Sequence, residues 1–156
     1  MRQKRFSFKN RSGHEIAALL DLPVDGTPEA YAIFAHCFTC SKNLSAVSRI
    51  TRAMTRQGMA VMRFDFTGLG ESGGDFSDTG FSTNVSDIVD AARYLEEHHG
   101  PARVLVGHSM GGTAALAAAG KLDEVAAVAV IGSPAEPDHV LKHMGEKLTR
   151  IMETGG

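Results

Sequence analysis

The sequence has few cysteines, no long apolar run and no excess of charge of one sign. Lys and Arg number 16 and Asp and Glu number 18 in 156 residues, which gives a formal net charge of −2. This balance does not indicate nucleic acid or an anionic membrane as the main partner. No apolar run approaches the roughly 20 residues that span a bilayer, and no apolar stretch follows the charged N-terminus as in a signal peptide. We therefore expect a cytoplasmic protein with no membrane or nucleic-acid partner.

The two cysteines, Cys37 and Cys40, form a C-x-x-C motif, which in other proteins is redox-active or half of a zinc site. No second pair completes a zinc ribbon, and two cysteines are too few for a disulfide scaffold. The motif does not open a helix after the first strand of a thioredoxin-like unit, so redox chemistry is the weaker interpretation. We expect Cys40 to be exposed near the active cleft and sensitive to oxidation. Nothing indicates a metal or an organic cofactor.

The apolar and charged fractions, 43% and 22%, are close to the average of globular proteins. The length suits one domain, so we expect a single domain over 1–156. Hydrophobic periodicity and turn residues predict strands over 3–9, 14–22, 30–35, 59–64, 102–106 and 125–131, and helices over 43–57, 83–99, 113–122 and 138–152. A leading hairpin followed by alternating strands and helices predicts a three-layer α/β sandwich, with a mostly parallel sheet of about six strands.

The sharpest motif is the segment 107–112, which reads Gly-His-Ser-Met-Gly-Gly and contains G-x-S-x-G between a buried strand and a helix. That context is typical of a nucleophile elbow. A turn this tight would strain the backbone of Ser109, and glycines two residues before and two after it would let strand and helix approach. The Ser109 hydroxyl would lie above a helix N-terminus, where negative charge is favoured. The alternative is a glycine-rich turn with a helix-capping serine.

Two further motifs follow strands. An acyl-transfer site needs two backbone N–H donors for the oxyanion, one from the residue after the nucleophile, Met110, and one from the loop after the third strand. In that loop Phe38 is the best candidate, and the alternative is an ordinary exit loop with a structural histidine. The segment 65–72 (DFTGLGES) leaves the fourth strand, and we expect Asp65 and Ser72 to hold it by side-chain to backbone hydrogen bonds without a catalytic role.

In order and spacing, HCF, DFTGLGES and GHSMGG after three successive strands resemble the α/β-hydrolase fold. The segments FAHCFTCSKN and RFDFTGLGESGGDF more narrowly resemble a bacterial subfamily in which the hydrolase is often fused ahead of an OsmC-type, osmotically inducible peroxide-resistance domain. The resemblance covers essentially all of the chain and implies Ser109 as nucleophile and the amides of Phe38 and Met110 as the oxyanion hole. It also implies supporting roles for four neighbours, His36, Gly107, His108 and Gly111.

The resemblance also implies a catalytic triad in the chain order Ser…Asp/Glu…His. In the family the acid follows the seventh strand and the histidine follows the eighth. Because six strands are predicted here, we expect a truncated fold whose acid and base positions lie beyond Gly156. His139 and His143, four residues apart on the predicted last helix, are the candidate substitutes for the base. The alternative is that both are surface histidines on a cap helix, and H-E-x-x-H is absent.

These observations favour a serine hydrolase of the esterase or acyl-hydrolase type, acting without a cofactor on a small ester-like substrate. The alternative is a non-catalytic module that keeps the elbow and acts as a scaffold or dimerisation unit. A weaker third hypothesis is a redox module using Cys37 and Cys40. The predicted sixth strand is apolar and uncharged, and an open edge of that kind pairs readily with other chains. We therefore expect a homo-oligomer formed through the strand-six edge.

Overall fold

The computed structural model describes residues 2–24, 26–37 and 41–135. Within these ranges the strands are β1 (Arg2–Lys9), β2 (Glu15–Leu22), β3 (Ala30–Ala35), β4 (Met59–Phe64), β5 (Ala102–His108) and β6 (Ala127–Ile131). The helices are α1 (Ser45–Arg56), α2 (Phe81–His98) and α3 (Met110–Ala119), with a short 3₁₀ turn at Phe76–Asp78. The predicted helix over 138–152 lies outside the described residues. No helix in the described part of the chain is long and apolar enough to span a membrane.

The strands form one mixed sheet in the order β1-β2-β4-β3-β5-β6. β1 and β2 form the antiparallel hairpin at one edge, and β2 pairs antiparallel with β4. The remaining pairs, β3 with β4, β3 with β5 and β5 with β6, are parallel. The predicted fold class is therefore confirmed. β3 lies between β4 and β5 and is parallel to both. The carboxyl ends of these three strands therefore lie at the same end of the sheet, and the loops that follow them begin side by side.

Helices cover both faces of the sheet. On β3, Ile33 belongs to the larger core with residues of α2 and α3, such as Ile88 and Ala114. Its neighbour Phe34 belongs to the smaller core, which includes Val47 of α1. Successive strand residues point to opposite faces, so a strand covered on both faces is apolar throughout. This accounts for the unbroken apolar runs of β3 and β4.

The boundaries around the glycine-rich turn differ from the prediction. β5 continues to His108 instead of ending at 106, and α3 begins at Met110 instead of 113. The turn is therefore reduced to Ser109, because the glycines that suggested a longer loop lie inside the strand and the helix. The 3₁₀ turn was also missed; its N-cap is Asp75, whose carboxylate accepts a hydrogen bond from the Ser77 amide at 2.9 Å.

Candidate active site

Ser109 forms the sharp turn between β5 and α3, with φ 55° and ψ −128°. Among the described residues it is the only non-glycine with positive φ, a conformation that is strained for an L-amino acid. Its amide donates to the Ile131 carbonyl of β6 at 2.9 Å, and its carbonyl accepts from the amides of Gly112 and Thr113 at 2.9 and 3.3 Å. Hydrogen bonds from the neighbouring strand and the first turn of α3 thus hold the strained residue in place.

The glycines of the elbow allow two close backbone approaches. A Cβ atom on Gly107 would lie 2.3 Å from Cα of Gly112. A Cβ atom on Gly111 would lie 2.3 Å from the His36 carbonyl oxygen and 2.5 Å from that of Ala35. Real Cβ contacts are never this short, so only glycine fits at either position without a shift of the backbone. The second contact also shows that the end of β3 packs directly against the first turn of α3.

The Ser109 hydroxyl makes no capping hydrogen bond to α3. This finding does not fit the alternative of a helix-capping serine. Met110 is the first residue of α3, and the first amides of a helix have no partner within the helix and favour negative charge. The Met110 amide therefore lies beside Ser109 as a donor suited to an oxyanion.

Three of the predicted site residues, Phe38, His139 and His143, lie outside the described residues, as does Cys40. His108 is half-buried at the end of β5 and pairs in register with Ile131 of β6. The described residues contain no group of three or more His, Cys, Asp or Glu side chains placed to hold a metal ion.

His36 is fully buried directly after β3. Its Nδ1 atom lies 2.6 Å from the Cys37 carbonyl oxygen, so Nδ1 carries the hydrogen that this oxygen accepts. Its Nε2 atom lies 3.5 Å from Oδ1 of Asp65, beyond normal hydrogen-bond geometry. The ring meets Phe66 edge-on, with 5.2 Å between ring centroids. These contacts attach the start of the loop after β3 to the start of the loop after β4.

Asp65 follows β4 directly and is fully buried. Its carboxylate accepts from the Glu71 amide at 3.0 Å, and the Ser72 hydroxyl donates to its carbonyl at 2.6 Å. These are the loop contacts that the sequence predicted. Burial alone would raise the pKa of Asp65, but the hydrogen bonds from the Glu71 and Lys42 amides and from the Lys42 ammonium outweigh burial. They hold the pKa of this carboxyl well below its usual value.

Lys42, which no sequence motif indicates, is the main partner of Asp65. The Lys42 side chain is fully buried, and its Nζ atom lies 2.6 Å from Oδ2 of Asp65 and 2.8 Å from Oε2 of Glu71. The Lys42 amide donates to Oδ1 of Asp65 at 2.6 Å. The contact could be found only from the topology of the sheet. Lys42 follows β3 and Asp65 follows β4, and because these neighbouring strands are parallel, the loops after them begin at the same end of the sheet.

Arg63 of β4 extends this charged cluster into the sheet. Its Nε atom lies 2.8 Å from Oδ2 of Asp21 on β2. One of its terminal nitrogens donates to the Lys42 carbonyl and to the Ser48 hydroxyl. The Asp21 carboxylate also accepts from the Thr51 hydroxyl at 2.7 Å. The end of the loop after β3 is thus tied to two strands and to α1.

Comparisons with known proteins agree with this fold. A family profile described as serine aminopeptidase, S33, matches residues 27–154. The esterase domain of a Rhodothermus marinus protein is 54% identical, with a TM-score of 0.75, over 90% of this chain and 54% of that one. An α/β serine hydrolase without a lid from Xanthomonas campestris has a TM-score of 0.77 at 24% identity, over 88% of this chain and 64% of that one.

Among curated proteins, the uncharacterized protein YfhR of Salmonella typhi is 31% identical over 96 residues, 61% of this chain and 33% of YfhR. The chain therefore spans about a third of the length of this curated relative. It spans about half of the Rhodothermus esterase domain.

Proposed function

Because the chain belongs to the serine aminopeptidase S33 family and has the α/β-hydrolase fold, we propose that it carries the nucleophile of a serine hydrolase of the esterase or acyl-hydrolase type. The observation that supports this most is the strained Ser109, whose hydroxyl makes no capping hydrogen bond at the N-terminus of α3. The 54% identical relative is described as an esterase domain, which favours an ester as the substrate.

In the proposed reaction, Ser109 Oγ attacks the carbonyl carbon of a small ester and gives its proton to a base. The Met110 amide, and in our proposal the Phe38 amide, donate to the oxyanion that forms. The carbon–oxygen bond to the leaving alcohol then breaks, and the alcohol takes the proton from the base. Water attacks the acyl-serine in the same way and releases the acid and the free Ser109.

The base in this scheme is a histidine, since a serine hydroxyl is a weak nucleophile without one. Within this sequence His139 and His143 stay the candidates, and a histidine outside it is the other source. The scheme itself needs no cofactor. A cytoplasmic location and a link to an OsmC-type domain stay predictions from the sequence. The non-catalytic alternative has no observation in its favour.

The first test is hydrolysis of a short-chain p-nitrophenyl ester. We expect Ser109→Ala to lower kcat by at least about 10³-fold, because loss of a nucleophile leaves only binding and oxyanion stabilisation. Ser12→Ala is the control and should keep full activity. Ser12 is an exposed serine in the turn between β1 and β2, and three strands separate β1 from β5 in the sheet. Equal turnover by both variants and the unaltered protein would refute the assignment of Ser109.

A further inference from the structure

Residues 131–134, which we call the β6 exit segment, are hydrogen-bonded to the elbow at both ends. At the first end, the Ile131 carbonyl accepts from the Ser109 amide at 2.9 Å. At the other end, the Pro134 carbonyl accepts from the Thr113 hydroxyl at 2.7 Å. The Thr113 amide, in turn, donates to the Ser109 carbonyl at 3.3 Å. The Thr113 side chain therefore closes a ring of contacts that begins and ends at Ser109.

Between its two ends, the β6 exit segment has one residue with wide conformational freedom. Pro134 has a fixed φ, and Ser133 is restricted to extended conformations because it precedes a proline. Gly132 has a φ of 56°, and a Cβ atom there would meet nothing within 4 Å, so no side chain limits its rotation. A hydrogen bond that fixes Pro134 therefore also limits rotation at Gly132 and holds the Ile131 carbonyl in place.

The Ser109–Ile131 hydrogen bond lies at the end of an edge ladder. In the described part of the chain, β6 pairs with β5 alone, and His108 and Ile131 are the last pair of that ladder. Strand ends at an edge open more readily than the interior of a sheet. The bond from Thr113 to Pro134 supports this end from outside the ladder, and because Thr113 is only 8% exposed, water competes little for it.

The rest of the β6 exit segment packs on α3 without a polar contact. A Cβ atom on Gly112 would lie 1.8 Å from the Ser133 hydroxyl oxygen, so Ser133 lies directly against the first turn of the helix. That buried oxygen makes no hydrogen bond to the described residues. Among these residues, the Thr113 hydroxyl is therefore the side-chain group that hydrogen-bonds the β6 exit segment to α3.

We propose that Thr113 is a positioning residue for catalysis. By fixing Pro134 it holds the Ile131 carbonyl against the Ser109 amide, and so keeps Ser109 in the strained conformation from which its hydroxyl attacks. Without this support, more molecules relax to a negative φ, which changes the direction of the Ser109 side chain relative to the Met110 amide. The proposal rests on the proposed function, because this conformation affects turnover only if Ser109 is the nucleophile.

The kinetic test uses two substitutions of Thr113 and the p-nitrophenyl ester. Thr113→Val keeps the shape of the side chain and removes the hydroxyl, whereas Thr113→Ser keeps the hydroxyl. We expect Thr113→Val to lower kcat about five-fold, the effect of one hydrogen bond, and to change KM by less than about two-fold. Thr113→Ser should restore kcat to within about two-fold of the unaltered protein.

Thr55→Val is the matched control and should leave both constants unchanged. Thr55 is a buried threonine of α1 whose hydroxyl also donates to a backbone carbonyl, that of Arg52 at 3.0 Å. It lies near the end of α1, just before β4 begins, and so at the end of the sheet opposite to the elbow. An equal loss of kcat in Thr55→Val and Thr113→Val would show a general effect of removing a buried hydroxyl and would overturn the proposal.

Hydrogen exchange of the Ser109 amide supplies a readout that does not depend on turnover. This amide donates to the Ile131 carbonyl, so its exchange reports how often that contact opens. We expect exchange to become about five-fold faster in Thr113→Val and to stay unchanged in Thr113→Ser and Thr55→Val. An unchanged exchange rate in Thr113→Val would overturn the proposal, and so would an equal loss of kcat in Thr113→Ser and Thr113→Val.

Failure of this proposal can be told apart from failure of the proposed function. If the unaltered protein and Ser109→Ala hydrolyse the ester equally, the proposed function fails, and the catalytic role of Thr113 with it. If Ser109→Ala is inactive while Thr113→Val is fully active, the proposed function stands and only the role of Thr113 is refuted.

Discussion

At the residue scale, the backbone of Ser109 and the carboxylate of Asp65 are held by partners far away in the sequence. Ser109 keeps its positive φ because the Ile131 carbonyl accepts from its amide. Asp65 remains charged inside the protein because Lys42 and two backbone amides compensate it. Both residues are therefore sensitive to changes in the loops and strands that surround them.

Asp65 makes the unfolding free energy of the protein depend on pH in the acidic range. Because its pKa is lowered in the folded state, the unfolded chain binds more protons as the pH falls past the ordinary value of about 3.9. The contribution of Asp65 is thus present above that value and is lost as the pH falls towards the folded pKa. We expect Asp65→Asn to show a smaller loss of unfolding free energy between pH 5 and 3, measured by urea unfolding.

Asp87 is the control for this experiment because its shift has the opposite sign. Burial raises the pKa of Asp87 and outweighs the hydrogen bonds that it accepts from Thr67 and Asn10. Its contribution to stability therefore declines as the pH rises through its folded pKa. Asp87→Asn should keep the acid-side loss that Asp65 causes. A wild-type acid-side loss in Asp65→Asn would contradict this account.

The local sequence predicted the constraint on Ser109 but not the partner of Asp65. The spacing of Gly107 and Gly111 around Ser109 indicates a sharp turn without any knowledge of the rest of the fold. The partner of Asp65 could not be found this way, because Lys42 lies in a loop without periodicity and lysine is almost never fully buried. Only the adjacency of β3 and β4 shows that the two residues meet.

At the element scale, the site depends on how closely β5 and α3 approach each other. The strand ends at His108 and the helix begins at Met110, so one residue reverses the chain. This geometry brings Gly107 of the strand against Gly112 of the helix. Packing between the two elements, as much as the turn itself, determines where the Ser109 hydroxyl lies.

Gly107→Ala tests this close approach. The new Cβ atom would lie 2.3 Å from Cα of Gly112, so α3 must shift, and we expect the unfolding free energy to fall by about 1–3 kcal/mol. Gly120→Ala is the control, since Gly120 has an ordinary helical φ of −67° and its nearest contact would be 3.8 Å away. That variant should be as stable as wild type or more stable by about 0.4–1 kcal/mol. Equal stability of the two variants, in urea unfolding, would argue against the close approach.

The sequence predicted the elements best where the pattern was simple. β3 and β4 were placed residue for residue, because strands covered on both faces read as unbroken apolar runs. α3 was placed three residues late because its first residues, Met110 to Gly112, look like loop in the sequence. These residues pack against the end of β3. A contact between segments so far apart in the sequence cannot be predicted from a local pattern.

At the scale of the whole molecule, the two edges of the sheet differ in character. β1 carries Arg2, Lys4, Arg5 and Lys9, and charged side chains discourage pairing with another strand. β6 has the sequence AVAVI and lies at the other edge, where Val130 and Ile131 are 44% and 42% exposed. In the described part of the chain, no strand pairs with the outer side of β6.

We predict that a protein of this sequence alone self-associates through the edge of β6. Val130→Lys should reduce association, because an edge lysine opposes strand pairing. Ala53→Lys adds the same charge at an exposed position of α1 and should leave association unchanged. Sedimentation velocity over a range of concentrations measures both. A monodisperse monomer for the unaltered sequence at every concentration would contradict the prediction.

The central claim, that Ser109 is an activated nucleophile, is tested most directly by intact mass after reaction with a fluorophosphonate. The reagent reacts readily with a serine whose hydroxyl proton is removed by a base and whose oxyanion is stabilised. We predict a single adduct on the unaltered protein that is absent in Ser109→Ala and retained in Ser12→Ala. A folded protein that forms no adduct, or an adduct that persists in Ser109→Ala, would contradict the claim.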